Sequence, residues 1–384
     1  MEQKIKIKQV DSLTQKSRFG DGKYFGYKKY KYLGIIKLTT DKKIIGYGET
    51  LVGVYSPKLF KINLSFISQF LITNDLSKSL NELNELKRNK FFFDNGILKS
   101  IISGVEMAIF DILAQANRTN HSNIMKNFFK TKQQLSSKIN IYASAGSIKS
   151  SLSDLKKDLE YANKIDIGIF KGRLATGKNF IKKIELLRNE ISNFAIDIIA
   201  NTYEKNENLK NLNLFLKKIS TSKPLWIEEI LKTNDLFQFK NIKKHGLRFS
   251  YGENFNSLID FINLIELYKF DYINPDLSHL SIFDFVELNR HLNEKKQKDR
   301  IIIHCWGGPI NFIYSLYCAQ VFSNQVKLVE FPITNSSFMD KVYPKIRIKN
   351  SICTIDENIK SFKDIFDLKK LDKIQFSRLT FNFN

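Results

Sequence analysis

Cysteine is scarce, with three in 384 residues: Cys305, Cys318 and Cys353. None stands in a metal-binding or disulfide spacing, so a disulfide scaffold and a zinc–thiolate module are excluded, and a reducing compartment fits. Long hydrophobic runs are missing too. No stretch approaches the roughly 20 uninterrupted apolar residues of a membrane span, and the N-terminal "MEQKIKIKQVDSL" has no apolar signal-peptide core. A cytoplasmic protein with no membrane partner is the expectation. Acidic residues are the third shortage: 39 Asp and Glu stand against 61 Lys and Arg, a net charge of +22. A specific nucleic-acid partner would call for that charge on one face or arm. Here the lysines are spread through "KTKQQLSSK", "LKKDLEYANK" and "NEKKQKDR", and no nucleic-acid recognition motif occurs. The consequence is a general cationic field that attracts acidic metabolites.

The chain is long enough for two domains and a sizeable buried core, and 43% of it is hydrophobic. Residues 1–125 mix strand patterns ("KIKIKQV", "YLGIIKLTT") with helical ones ("LNELNELKRNKF", "GVEMAIFDILAQANR"), an α+β segment. From residue 139 to 335 the rhythm changes. Short apolar strands now alternate with amphipathic helices at a repeat of roughly 23 to 30 residues, the length of a βα unit. The strands are "INIYA", "IDIGIF", "AIDIIA", "PLWIE", "LRFSY", "DYINP", "RIIIH" and "VKLVEF". Eight of them predict a closed parallel barrel, because a doubly wound sheet usually stops nearer six. Residues 345–384 hold a strand pair and are expected to pack back on the N-terminal segment.

The chemistry gathers where these strands stop. The second ends in Lys171-Gly172-Arg173, the fourth in Glu228-Glu229 and the fifth in Gly252-Glu253-Asn254. The sixth ends in Asn274-Pro275-Asp276, the seventh in His304 and the eighth at Glu330. A single charged residue there often only marks where a buried strand meets water. A lone strand-end histidine, as in "IIIHCWGGPI", is by default a core residue satisfied by a carbonyl. Six charged ends in succession on the one edge where a barrel collects catalytic groups say more. Carboxylates on adjacent strands suit an oxygen-seeking ion such as Mg²⁺. A carboxylate beside a histidine orients the ring and raises its basicity.

Taken together, "GVEMAIFDILAQ", "FKGR", "PLWIEE", "YGEN", "NPDLSHLS", "HCWGG" and "LVEF" resemble the enolase superfamily, within it the mandelate racemase and muconate lactonizing enzyme-like group. The resemblance implies a modified TIM barrel, (β/α)7β, under an α+β capping domain at 1–125 that is completed by the C-terminal segment 345–384. It implies lid loops near 15–30 and 48–57, Mg²⁺ at the mouth, a homo-oligomer, and a small carboxylate substrate. The chemistry it implies is removal of the proton beside a carboxylate to give an enediolate. His304 matches the base and Asp276 the carboxylate that holds its ring. Glu228 and Glu253 match metal ligands, and Glu330 matches a carboxyl that contacts the substrate, either protonated or through another donor. Glu229, by the period of two, is expected to face away.

Two departures shape the functional reading. On the third strand the best register lays Ala200-Asn201 over the family's pattern and puts Ile199 where a metal-binding Asp belongs. Asp197 then sits about 7 Å deeper in the barrel, and Asp197 or Asn201 is left as the substitute third ligand. On the second strand Arg173 replaces a second lysine, and a guanidinium is a poor proton acceptor. One convincing base favours dehydration of a hydroxy acid, a sugar acid, with Lys171 neutralising its carboxylate and Arg173 clamping it. Racemisation or cycloisomerisation on the same fold is the alternative. A metal-poor relative that binds a metabolite without turnover is the reading from another class. His121, His245, His279 and His291 are expected on loops or helix surfaces.

Overall fold

In the computed structural model the described residues are 4–18, 30–89, 96–146, 150–174, 179–198, 209–333, 346–356 and 358–364. The chain opens with an antiparallel meander of β1 (Ile7–Arg18), β2 (Tyr30–Thr40) and β3 (Ile45–Thr50). Four helices follow a short turn of helix α1 (Val52–Tyr55): α2 (Pro57–Ser68), α3 (Leu76–Arg88), α4 (Gly96–Ala116) and α5 (His121–Phe128). α2 starts where Ser56 caps the amide of Leu59 and Pro57 presets the first turn. α3 starts where Asp75 accepts from Lys78 N at 2.8 Å. α4 is apolar on nearly every side because it runs between two layers. One side meets Ile36, Leu38, Phe60 and Leu64 of the N-terminal core, and Met107 and Phe110 join the core of the second domain. β3 lies flush on α4. A Cβ on Gly48 would fall 1.7 Å from the Gly104 carbonyl oxygen, so only glycine permits that approach.

Eight parallel strands then close into a barrel: β4 (Ile139–Ala145), β5 (Ile169–Arg173), β6 (Asn193–Asp197), β7 (Ile227–Glu228), β8 (Phe249–Tyr251), β9 (Tyr272–Ile273), β10 (Ile301–Ile303) and β11 (Val326–Pro332). Each pairs with the next, and β11 pairs with β4 to close the ring. The crossovers carry α6 (Leu152–Lys164), α7 (Phe180–Glu190), α8 (Leu209–Ser220), a 3-10 helix Thr233–Asn241, α9 (Leu258–Glu266), α10 (Ile282–Glu294) and α11 (Pro309–Val321). Seven crossovers for eight strands is the (β/α)7β arrangement, and the capping sheet precedes it.

The side-chain period of two explains the barrel's two cores. Ile301 and Ile303 face outward to the helices, in the large core, while Ile302 faces inward beside Tyr142, Ala195, Trp226, Tyr272 and Leu328. The small inner cluster floors the barrel. No helix among the described residues is long and apolar enough to cross a membrane.

The expected C-terminal strand pair forms as β12 (Ile346–Lys349) and β13 (Ile352–Ile355), but it pairs with β4 of the barrel and not with the capping sheet. The segment beyond it reaches the first domain. Ser361 Oγ and Phe362 N donate to Asp111 of α4 at 3.3 and 3.0 Å. His121, expected on a surface, is fully buried at this joint. It bonds Asp111 at 3.1 Å and stacks between Tyr317 and Phe362. Of the two expected lid loops, residues 19–29 of the first lie outside the described residues. The second holds the end of β3 and α1, with Glu49 and Thr50 buried rather than exposed.

Candidate active site

The inward side chain two positions beyond each floor residue points into the barrel mouth. Lys171 follows Ile169, Asp197 follows Ala195, and Glu228 follows Trp226. Asn274 follows Tyr272, His304 follows Ile302, and Glu330 follows Leu328. The strands stop being apolar at one level, so the polar residues form a layer above the aromatic floor. All six are buried.

One oxygen from each of Asp197, Glu228 and Glu253 lies within 4.8 Å of the others. This corrects the register drawn for the third strand. β6 ends at Asp197, which pairs with Glu228 on β7 instead of lying a step deeper. Ile199 and Asn201 lie outside the described residues. The signal was present in the sequence, since "AID" and "WIE" set Asp197 and Glu228 in the same small register. Three carboxylates this close repel one another, and oxygen-only donors in that number are the chemistry of a hard divalent cation. The residues therefore fit Mg²⁺. Burial pushes Glu253 above the usual carboxylate range, against the opposing charge of His304, and Glu228 adds to the rise.

Glu228 is held from every side. Lys171 Nζ bonds its Oε1 at 2.5 Å, while Trp226 Nε1 donates to Oε2 at 3.1 Å and Asn274 Nδ2 at 3.3 Å. Lys171 also lies 3.4 Å from Glu330. Burial alone would strip its proton, but Glu228 and Glu330 outweigh that and keep the ammonium charged far up the pH scale. Glu330 loses its proton for the complementary reason: burial opposes ionisation, and Lys171, His304 and Arg173 overcome it. A protonated Glu330 is thus disfavoured. Arg173 is nearly buried with its guanidinium stacked on Trp306, 4.2 Å from the ring centroid. Its Nε and Nη2 find no hydrogen-bond partner among the described residues.

His304 Nδ1 lies 2.8 Å from Asp276 Oδ2, and Nε2 lies 3.3 Å from Glu253 and 3.7 Å from Glu330. The opening of the loop after β10 allows this, because His304 and Asp276 form a parallel bridge. Asp276 is not left as a bare helix cap. Its Oδ1 accepts from Ser278 N, Ser278 Oγ and Asn311 Nδ2 at 2.8, 2.7 and 3.0 Å. Sequence reasoning missed Ser278 and Asn311, since neither stands at a strand end. Burial works against a charged imidazole, yet Glu330, Glu253 and Asp276 together hold His304 at about 9.

That value has a measurable consequence for the metal-free protein. A folded pKa above the ordinary 6.5 contributes stability that is full below pH 6.5 and is lost as pH rises through about 9. The loss amounts to about 3 kcal/mol at about 1.4 kcal/mol per tenfold change in proton affinity. In EDTA, denaturant midpoints are expected to fall between pH 7 and 10 in the wild type and to fall markedly less over that range in His304→Asn. Parallel profiles would mean the imidazole is neutral throughout.

Glu229 departs from expectation. Its φ of 56° breaks the strand alternation, and its carboxyl accepts from Gly252 N at 3.1 Å. It is buried beside the acid cluster, not turned away from it. Burial and the neighbouring Glu253 push its carboxyl well up. His279 is half-buried and bonds the Asn254 carbonyl at 3.1 Å.

A family model described as enolase C-terminal domain-like matches residues 161–358. Solved structures share the fold over nearly their whole length. The 3,6-anhydro-D-galactonate cycloisomerase from Zobellia galactanivorans is 18% identical, with a TM-score of 0.79 over 97% of this chain and 100% of its own. An enolase from Bradyrhizobium complexed with magnesium and mandelic acid is 15% identical, with a TM-score of 0.76 over 98% and 99%. A putative galactarate dehydratase from Agrobacterium radiobacter with bound sodium and L-malate is 15% identical, with a TM-score of 0.75 over 99% and 97%. At these identities the likeness is one of fold. The family match spans more than half of the chain and covers all seven site-bearing strand ends beyond β4, and the chain belongs to the enolase superfamily, among its mandelate racemase and muconate lactonizing enzyme-like members.

Proposed function

We propose that this protein is a Mg²⁺-dependent enzyme that removes the α-proton of a small carboxylate substrate, a sugar acid, and eliminates water from it. The observation that carries this reading is the convergence of two units on one mouth: the Asp197–Glu228–Glu253 cluster and the Asp276–His304 pair, with His304 Nε2 3.3 Å from Glu253. Asp276 accepts from Nδ1 and so keeps the lone pair of a neutral imidazole on Nε2, facing the mouth. Nε2 takes the α-proton. The electron pair left on carbon moves into the carboxylate as an enediolate, then back as the bond to the β-hydroxyl breaks. His304 returns its proton to that hydroxyl, which leaves as water. Lys171 and Arg173 supply the positive charge against which the substrate carboxylate is oriented. A bound Mg²⁺, held by Asp197, Glu228 and Glu253, would stabilise charge developing on the carboxylate oxygens and offset the acid charge that keeps a proton on His304.

Dehydration is favoured over racemisation because the candidates for a second base are Lys171, paired to two carboxylates, and Arg173, stacked on Trp306. Neither is poised as a second base. The metal and acid ligands in the Bradyrhizobium and Agrobacterium structures support a small carboxylate as substrate class. The test is incubation of a panel of sugar acids with Mg²⁺ in ²H₂O. Loss of water with deuterium delivered to a single face is expected. Washout at the α-carbon with inversion and no loss of water would replace dehydration by racemisation.

A further inference from the structure

The double glycine of "HCWGGP" is not explained by turn conformation, because neither Gly307 nor Gly308 has a positive φ. It is explained by what lies against it. A Cβ on Gly307 would stand 2.4 Å from Glu49 Oε1, and one on Gly308 would stand 2.8 Å from Leu33 Cδ1 and 3.1 Å from Glu49 Oε2. Both neighbours belong to the capping sheet. Glu49, 1% exposed, reaches across the domain boundary and accepts from Gly308 N with one oxygen and from Asn311 N with the other, at 3.2 Å. These are orphan amides at the start of α11. Its own N-cap, Gly308, has no side chain to satisfy them. A carboxylate from another domain therefore does the work of an N-cap and meets the positive end of the helix dipole.

The contact does not stop at the helix. Asn311, whose backbone Glu49 holds, donates its side-chain Nδ2 to Asp276 Oδ1 at 3.0 Å. The other two donors to that oxygen come from Ser278, and the capping domain grips Ser278 as well. Ser100 Oγ donates to Ser278 O at 2.7 Å, Thr50 Oγ1 bonds Ser100 at 3.0 Å, and Leu51 N donates to Ser278 O at 3.3 Å. On either side of it, Ser103 Oγ bonds the carbonyls of Leu277 and Leu280. Among the described residues, every donor that fixes Asp276 Oδ1 thus sits on a barrel segment fastened to the first domain.

We propose that Glu49 is a positioning residue for the Asp276–His304 pair, acting through the N-terminus of α11 and Asn311, so that docking of the capping domain sets the geometry of the base. This deepens the reading of His304 given above and rests on it. The capping sheet then has a part in the geometry of the base itself. It completes the support of the imidazole from behind.

The test uses full-length protein labelled uniformly with ¹⁵N, at one pH and without substrate. The His304 imidazole signals are assigned by their loss in His304→Asn. Glu49→Ala is expected to accelerate solvent exchange of the His304 Nδ1 proton about tenfold, the equivalent of one lost hydrogen bond. It is also expected to expose the amides of Gly308 and Asn311. Asn311→Leu cuts the side-chain bonds to Asp276 and Cys305 Sγ but keeps the backbone held by Glu49, so it should reproduce the imidazole change and leave the Gly308 amide protected. If Glu49→Ala does not fold, Asn311→Leu and Glu49→Asp carry the test, the latter with an intermediate effect. Exposed α11 amides with an unmoved imidazole would make Glu49 a helix cap and nothing more, and would overturn the proposal. An unmoved imidazole in Asn311→Leu would overturn it equally. Since no turnover is measured, either result is separate from failure of the proposed reaction.

Discussion

His304→Asn is expected to lower α-proton exchange by about 10²- to 10⁴-fold, the contribution of a positioned general base. The physical case is unusually clean, because asparagine keeps what the fold requires and removes only what the chemistry requires. Its amide still offers Asp276 Oδ2 a donor where Nδ1 stands at 2.8 Å, so the buried carboxylate is not orphaned. The Nε2 lone pair is gone. Glu330 stays paired to Lys171, and Asp197, Glu228 and Glu253 all remain, with Glu253 losing only its 3.3 Å contact to Nε2. The variant should therefore fold and still take up Mg²⁺ in a calorimetric titration while failing to exchange. Wild-type exchange in a folded variant would remove the base from the proposal.

The second large effect is expected at Asp197. Asp197→Asn leaves two of the three carboxylates that gather within 4.8 Å, and divalent affinity follows ligand charge and count. Mg²⁺ affinity should drop by at least about 10- to 100-fold, the range seen when even an outer-shell partner is lost. Removing one charge from the cluster also relieves repulsion, so the metal-free variant should be no less stable than the wild type in EDTA. Opposite signs in stability and affinity are what a built cation site produces. Should Asn201→Ala lose the ion and Asp197→Asn retain it, the third-strand ligand would have to be Asn201.

How much of this was legible beforehand can be judged residue by residue. Lys171, Glu228, Glu253, Asp276, His304 and Glu330 were all marked by ending apolar runs, and the barrel brings them together at one mouth. Asp197 was misread because "AIDIIA" continues apolar after the acid, so the strand looked longer than β6 is. Glu229 was misread because alternation holds only in extended backbone, and its left-handed φ ends that regime. His121 was placed outside because nothing local announced Asp111, Tyr317 and Phe362 as neighbours.

By itself, then, the sequence determined the eight-strand rhythm, the inward level at which each strand turns polar, and the residue types available there. Those follow from local periodicity, which burial enforces on each element separately. Tertiary structure alone decided which carboxylate joins the cluster, which charges neutralise Lys171 and Glu330, and that Glu49 of the first domain meets the loop after His304. Such outcomes depend on pairings between segments far apart in the chain, where desolvation makes each charge answer to neighbours that no local pattern names.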